Sequence, residues 1–281
     1  MTTSPLISPE QLKQQLTDAS LVVLDARSGK DAYEMYARQH LMHAWHIDLD
    51  RDLAAKTKDA SHGGRHPLPD HQAFCSLLGK LGISPASHVV VYDDKYGANA
   101  AARTWWMLRA CGHEQVQVLD GGWQAAIKAG LPLSDAIPHA EPLAPYPSAG
   151  WTMPMATMDE VATAMDDQHA LIIDVRETYR YRGEREPIDL EAGHIPNAIN
   201  APYQENLADD GSFRSAQELA SDYKRLLGDH TPAQVIVHCG SGVTACHTLL
   251  AMEAAGIPGA RLYVGSWSEW SRNDRPMVTG S

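Results

Sequence analysis

Short apolar runs recur along the chain, each followed by a stretch whose apolar positions return every three or four residues. Leu21–Leu24, His88–Tyr92, Val116–Leu119, Leu171–Ile173 and Val235–Val237 lack a polar face. Such runs predict parallel strands buried on both sides. The helical pattern fills the gaps, at about 31–39, 71–81, 100–111, up to Gly130, and 243–255. Ser8-Pro9 reads as an N-cap followed by proline at the first helical position, and Thr157-Met-Asp-Glu160 as a capping box. Gly256 closes the last of these stretches as a C′ residue would. Strand and helix in strict alternation predict an α/β fold with mainly parallel sheets flanked by helices.

The order of segments repeats. Leu171–Arg176 parallels Leu21–Arg27, Gly193–Asn200 parallels His40–Ile47, and Gln234–His238 parallels His88–Tyr92. Leu262–Trp267 likewise parallels Val118–Trp123. Between the copies, PLSDAIPHAEPLAPYPSAG is rich in proline and has little periodicity, which suits a linker. The expectation is two tandem domains, 1–135 and 151–281, joined by a linker at 136–150. Superposing the copies places Tyr92-Asp93 on His238-Cys239. One copy ends its strand in a cysteine, the other in an aspartate.

Composition narrows the function classes. A net charge of −12 over 281 residues disfavours nucleic acid or an anionic membrane as the main partner. No apolar stretch reaches the ~20 residues needed to span a bilayer. The first twenty residues lack a basic start and apolar core, so a cytoplasmic location is expected. The four cysteines, Cys75, Cys111, Cys239 and Cys246, form no C-x-x-C pair, and the histidines form no H-E-x-x-H. No metal and no cofactor is therefore expected.

Cys239-Gly-Ser-Gly-Val-Thr-Ala carries the candidate chemistry. It lies where a strand ends and a helix begins, the usual place for a ligand in an open α/β sheet. The N–H groups of Gly240, Ser241, Gly242, Val243 and Thr244 can curl into an anion-holding nest. The helix terminus adds partial positive charge. Both favour a thiolate and predict a cysteine more acidic than the usual ~8.5. A cysteine phosphatase needs an arginine at the sixth position after its cysteine, and Ala245 stands there. A persulfide carrier, by contrast, would keep the cysteine.

These motifs give the chain a resemblance to the two-domain rhodanese-type sulfurtransferases over nearly its full length. Cys239–Ala245 is similar to the active-site loop of the 3-mercaptopyruvate branch; the thiosulfate branch typically has two basic residues where Gly240 and Ser241 stand. Gly193-His-Ile-Pro, Gly265-Ser-Trp-Ser-Glu-Trp270 and Asp120-Gly-Gly-Trp123 are similar to the other family signatures, although Asn197 replaces a usual glycine and Val264 a more common acidic or small residue. The resemblance implies two rhodanese-like domains, only the second catalytic, and sulfur transfer through a persulfide on Cys239. It implies Ser241, His40 and Asp31 as the proton-handling group and Arg180 as the anchor of a small anionic donor. A second family arginine finds no match in Glu186-Pro-Ile-Asp189, where Arg185 is the nearest substitute. The implied acceptor is a thiol or cyanide, with thioredoxin and glutathione as examples.

Overall fold

The computed structural model describes residues 4–139 and 141–280; the outermost residues of the two expected domains and residue 140 of the expected linker lie outside it. The described chain divides into two compact units. The first runs to Ala55 and adds Pro69–Thr152 and Asp209–Phe213. The second takes Lys56–Leu68 and Met153–Ala208, and resumes at Arg214. Two segments thus belong to the unit other than the one their position in the sequence suggests.

The strands of the first unit are β1 (Leu6–Ile7), β2 (Leu21–Asp25), β3 (His40–Leu41), β4 (Trp45–His46), β5 (His88–Tyr92), β6 (Val116–Leu119) and β7 (Leu133–Ser134). A parallel sheet has the order β1-β6-β5-β2-β4, and β3 pairs antiparallel with β7. Val89, Val90 and Val91 of central β5 are fully buried, as a strand covered on both faces requires. The first helix, Pro9–Gln15, opens with a capping box between Ser8 and Gln11.

The second unit contains β8 (Met155–Ala156), β9 (Leu171–Asp174), β10 (Ile199–Asn200), β11 (Val235–His238) and β12 (Arg261–Tyr263). Its parallel sheet has the order β8-β12-β11-β9-β10, the same succession as in the first unit. Thr157 and Glu160 form the expected capping box ahead of Met158–Ala164. The helix expected at 243–255 spans Thr244–Ala254, and Gly256 follows with φ of 75°. Asn197 has φ of 61°, which asparagine tolerates better than most residues and which explains the usual glycine there.

A polar frame recurs in both units. In the first, Arg27 donates to Asp25 and to the Gln39 carbonyl at 2.7 Å, with its guanidinium 4.3 Å from the Trp123 ring centre. In the second, Arg176 donates to Asp174 and to the Gly193 carbonyl at 2.7 Å, 4.5 Å from the Trp267 ring centre. Each buried charge is therefore paired, hydrogen-bonded and covered by an aromatic face. This frame fixes the ends of β2 and β9, beside which β5 and β11 deliver Asp93 and Cys239.

Candidate active site

β11 ends at His238, and Cys239 begins the loop to helix Thr244–Ala254. Cys239 is buried, with 1% of its surface exposed. The turn at Gly265–Ser268 holds the loop from behind. Trp267 N–H donates to the Cys239 carbonyl at 3.0 Å, and Ser268 N–H to the Gly240 carbonyl at 2.8 Å. Cys239 N–H in turn donates to Ser266 Oγ at 3.2 Å. Gly242 has φ of 72°, and a Cβ there would meet the Val264 carbonyl oxygen at 2.3 Å. Only glycine fits. Cys246 is a different kind of thiol: it is buried and donates back to the Gly242 carbonyl, one turn earlier.

Ser241, 6% exposed, places its Oγ 2.8 Å from Nδ1 of His66. His66 belongs to segment Lys56–Leu68 of this same unit. The segment is laid on the Gly265–Ser268 turn through Gly63 and Gly64, with φ of 79° and 76°. A Cβ on Gly64 would lie 2.3 Å from the Gly265 carbonyl oxygen. Gly63 N–H donates to Glu269 at 2.6 Å and Arg65 N–H to Ser268 Oγ at 3.0 Å. Two glycines thus let the backbone approach closely enough to deliver Arg65 and His66.

Two guanidiniums stand over the loop. A Cβ at Gly240 would lie 3.1 Å from Nη2 of Arg65 and 3.4 Å from Nη2 of Arg180. Asp189, with no exposed side-chain surface, orients both: its oxygens lie 3.0 Å from Arg65 Nε and 3.4 Å from Arg180 Nη2. Arg272 reaches the same carboxylate at 3.1 Å. Arg180 also donates to Glu186 at 2.8 Å. Burial opposes its charge, but Glu186, Glu177 and Asp189 outweigh burial and hold its pKa above the ordinary value. The stretch Glu186–Asp189, where a second family arginine was sought, instead supplies the acids that aim Arg65 and Arg180.

Cys239, Gly240, Ser241, Gly242, Val243, Thr244 and Arg180 therefore surround one loop of the second unit. His40 and Asp31 belong to the first unit. His40 is fully buried, Nδ1 is 2.7 Å from the Tyr36 carbonyl, Nε2 is 3.2 Å from the Ala136 carbonyl, and the ring stacks on Tyr36. His194 of the second unit repeats this, with Nδ1 2.7 Å from the Tyr181 carbonyl and the ring stacked on Tyr181. The two histidines thus occupy the same kind of socket in their units. Asp31 is exposed at the head of helix Ala32–Arg38 and makes no side-chain cap bond.

The first unit shows what such a junction binds. Asp93 is fully buried, and its carboxylate accepts from the N–H groups of Lys95 at 2.9 Å, Gly97 at 2.8 Å, Asn99 at 3.1 Å and Ala101 at 3.1 Å. Burial raises its pKa while these donors lower it, leaving it above the ordinary value.

Two parallel α/β units of one topology, with a cysteine at the strand–loop–helix junction of the second alone, define a tandem protein whose candidate site lies in the second unit. The chain belongs to the rhodanese-like domain family, whose pattern matches residues 8–129 and 157–273. It is 38% identical to the probable 3-mercaptopyruvate sulfurtransferase of Pseudomonas aeruginosa over all of both chains. It is 32% identical to the thiosulfate sulfurtransferase of Rattus norvegicus, covering 95% of this chain and 90% of that one. Among solved structures, 3-mercaptopyruvate sulfurtransferase from Leishmania major matches with a TM-score of 0.83 at 29% identity, covering 95% of this chain and 74% of that one. Among the described residues, no helix is long and apolar enough to cross a membrane.

Proposed function

We propose that the protein is a sulfurtransferase that takes sulfur from 3-mercaptopyruvate onto Cys239 and passes it to a thiol or to cyanide. The observation that carries the donor assignment is the pair of guanidiniums over Gly240, beside the Ser241–His66 hydrogen bond. Arg65 and Arg180 supply a forked cationic surface for a carboxylate. A basic side chain at position 240, as in the thiosulfate branch, would add a third positive charge beside them.

The Cys239 thiolate attacks the donor sulfur, an S–S bond forms, and the C–S bond breaks with its electron pair on carbon. The organic product is the enolate of pyruvate. The donor's own thiol proton must reach the methyl carbon, which leaves Cys239 as a persulfide anion. Ser241 and His66 relay that proton, so we assign to His66 the role first sought in His40 and Asp31. At the start of helix Thr244–Ala254, the N–H groups of Gly240 to Thr244 would stabilise the developing negative charge. In the second half-reaction an acceptor thiol takes the outer sulfur and Cys239 is regenerated; thioredoxin, glutathione and cyanide all have the required nucleophile. A cytoplasmic location suits such thiols.

The test is kcat/KM for 3-mercaptopyruvate against thiosulfate with cyanide as the common acceptor. The expected result is a preference for 3-mercaptopyruvate, no persulfide on Cys239→Ala by intact mass, and a kcat loss of about 10²-fold or more on His66→Gln. A clear preference for thiosulfate refutes the donor assignment. Full activity in His66→Gln refutes the relay.

A further inference from the structure

A second cluster of sulfur and nitrogen ligands lies in the first unit, built from residues with no part in the chemistry above. His71 is the first residue of helix His71–Lys80, whose N-cap Asp70 accepts from Ala73 N–H. Cys75, four residues on, lies on the same helical face. Cys111 caps the C-terminus of helix Ala100–Ala110, its N–H donating to the Met107 carbonyl at 3.0 Å. Packing brings the three together. Nε2 of His71 is 3.7 Å from Sγ of Cys75 and 3.7 Å from Sγ of Cys111. One ligand atom from each lies within 4.8 Å of the other two.

The surroundings give this triangle a fourth corner and a cover. Ser148 Oγ is 3.0 Å from His71 Nε2. Trp151 packs edge-on to the imidazole at 5.1 Å between ring centres. The segment carrying both residues is fastened to helix His71–Lys80: Leu143 N–H donates to the Gly79 carbonyl at 2.9 Å and Tyr146 N–H to the Cys75 carbonyl at 2.9 Å. A Cβ on Gly79 would meet the Ala144 carbonyl oxygen at 2.5 Å, so the approach depends on glycine.

We propose that His71, Cys75 and Cys111 bind a thiophilic divalent cation, zinc, with the Ser148 hydroxyl or a water completing a tetrahedron. With Zn–S near 2.3 Å and Zn–N near 2.0–2.1 Å, the N···S edge of a regular tetrahedron is about 3.6 Å. The separations of 3.7 Å already match that edge. Neutral imidazole and two thiolates form a donor set for a borderline-soft ion. Binding replaces two thiol protons, Zn²⁺ + 2 Cys–SH giving Zn(S–Cys)₂ + 2 H⁺, so affinity rises with pH. The ion would pin the proline-rich segment to two helices of the first unit, apart from sulfur transfer.

The experiment uses the full chain, reduced, freed of metal with a chelator and titrated anaerobically with Co²⁺ at about pH 8, where proton displacement is easier. The expected result is one equivalent bound, with a thiolate-to-cobalt charge-transfer band and intense visible bands of tetrahedral cobalt. Zinc should displace it and raise Tm. The spectrum should survive Cys239→Ala and disappear in Cys111→Ala and His71→Ala, with circular dichroism confirming that the variants fold; His71 is only half-buried, so its variant is the gentler one. The proposal is overturned by the absence of a charge-transfer band, or by a band that persists in His71→Ala and Cys111→Ala. It is equally overturned by a band that disappears with Cys239→Ala, or by a Cys75–Cys111 disulfide in non-reducing peptide maps of the isolated protein.

Discussion

Replacing Arg65 by methionine separates donor anchoring from folding. The variant keeps the aliphatic length and removes the guanidinium beside Gly240. Asp189 is then left with Arg272 at 3.1 Å and Arg180 at 3.4 Å, so its buried carboxylate still has partners. Arg65 itself is 26% exposed along its side chain, and the ion pair lost is partly screened. The folding cost should therefore stay within about 1 kcal/mol. For the donor the loss is larger. A hydrogen bond to a charged group contributes roughly 1.5–3 kcal/mol. Taking about 2 kcal/mol, and tenfold for each 1.36 kcal/mol, kcat/KM for 3-mercaptopyruvate should fall about 30-fold.

The loss should lie in KM, because a carboxylate remote from the reacting sulfur is held equally in ground and transition states. Arg65→Lys should fall between, since an ammonium keeps the charge without the planar fork. The assay is initial-rate pyruvate release at saturating thiol acceptor, paired with the rate of Cys239 alkylation by iodoacetamide, a neutral reagent that lacks a carboxylate. The alkylation rate should be unchanged. An unaltered KM for 3-mercaptopyruvate, or an equal loss in the alkylation rate, would show that Arg65 does not read the carboxylate.

Two further outcomes test the frame around the site. Asp93→Ala removes the acceptor of four N–H groups, two of them in buried hydrogen bonds and two in part-buried ones; with each unsatisfied buried donor costing about 1–3 kcal/mol and water recovering part, urea denaturation should show a loss near 3 kcal/mol. A loss below about 1 kcal/mol would mean that water replaces the carboxylate fully. Burial also lowers the pKa of His46, His194 and His238 below the ordinary 6.5, with Asp174 only partly offsetting the effect at His238. The unfolded chain then binds more protons, so unfolding free energy should be level above about 6.5 and fall as the pH drops below it. His238→Gln should flatten that fall, and an identical pH profile in the variant would remove His238 from the account.

Strands β2, β5, β6, β9 and β11 were legible because each is a short, mostly buried apolar run, a pattern that survives without knowledge of its neighbours, whereas two-residue strands such as β4 and β10 carry no such pattern. Cys239, Ser241 and the glycines were legible because the loop is contiguous. Arg65 and His66 were not, since their place depends on how segment Lys56–Leu68 packs on the Gly265–Ser268 turn, and SHGGRHPLPD reads by composition as an irregular loop. The signal present was the pair Gly63-Gly64 directly before an arginine and a histidine. His40 illustrates the opposite case. Its counterpart His194 sits in the same kind of socket in the second unit, a correspondence that pairing Gly193–Asn200 with His40–Ile47 leaves one residue out of register. Helix Ala216–Leu227 opens on a capping box between Ser215 and Glu218, a pattern as legible as the one at Thr157. His71 and Cys75 are one turn apart, but only packing adds Cys111, so ligand spacing alone gave no metal site.

The two junctions explain one another. In the first unit the anion and its donors belong to the same loop: the carboxylate of Asp93 fills the ring of N–H groups that leads into helix Ala100–Ala110. A carboxylate held by four N–H groups has its charge spread over them and is a poor nucleophile. In the second unit the loop from Cys239 to Thr244 is shorter, and its residue at the strand end carries a thiol in place of a carboxylate. That loop carries no acid of its own, and the anion that the start of its helix stabilises is the one formed in the reaction, on the outer sulfur of a persulfide. Stabilisation of that kind acts on the product of attack more than on the resting thiol, which is what a sulfur-accepting cysteine requires. Arg65 and Arg180 complete the difference: in place of an acid built into the loop, the second unit aims two guanidiniums over Gly240, where an acid carried by the donor can enter.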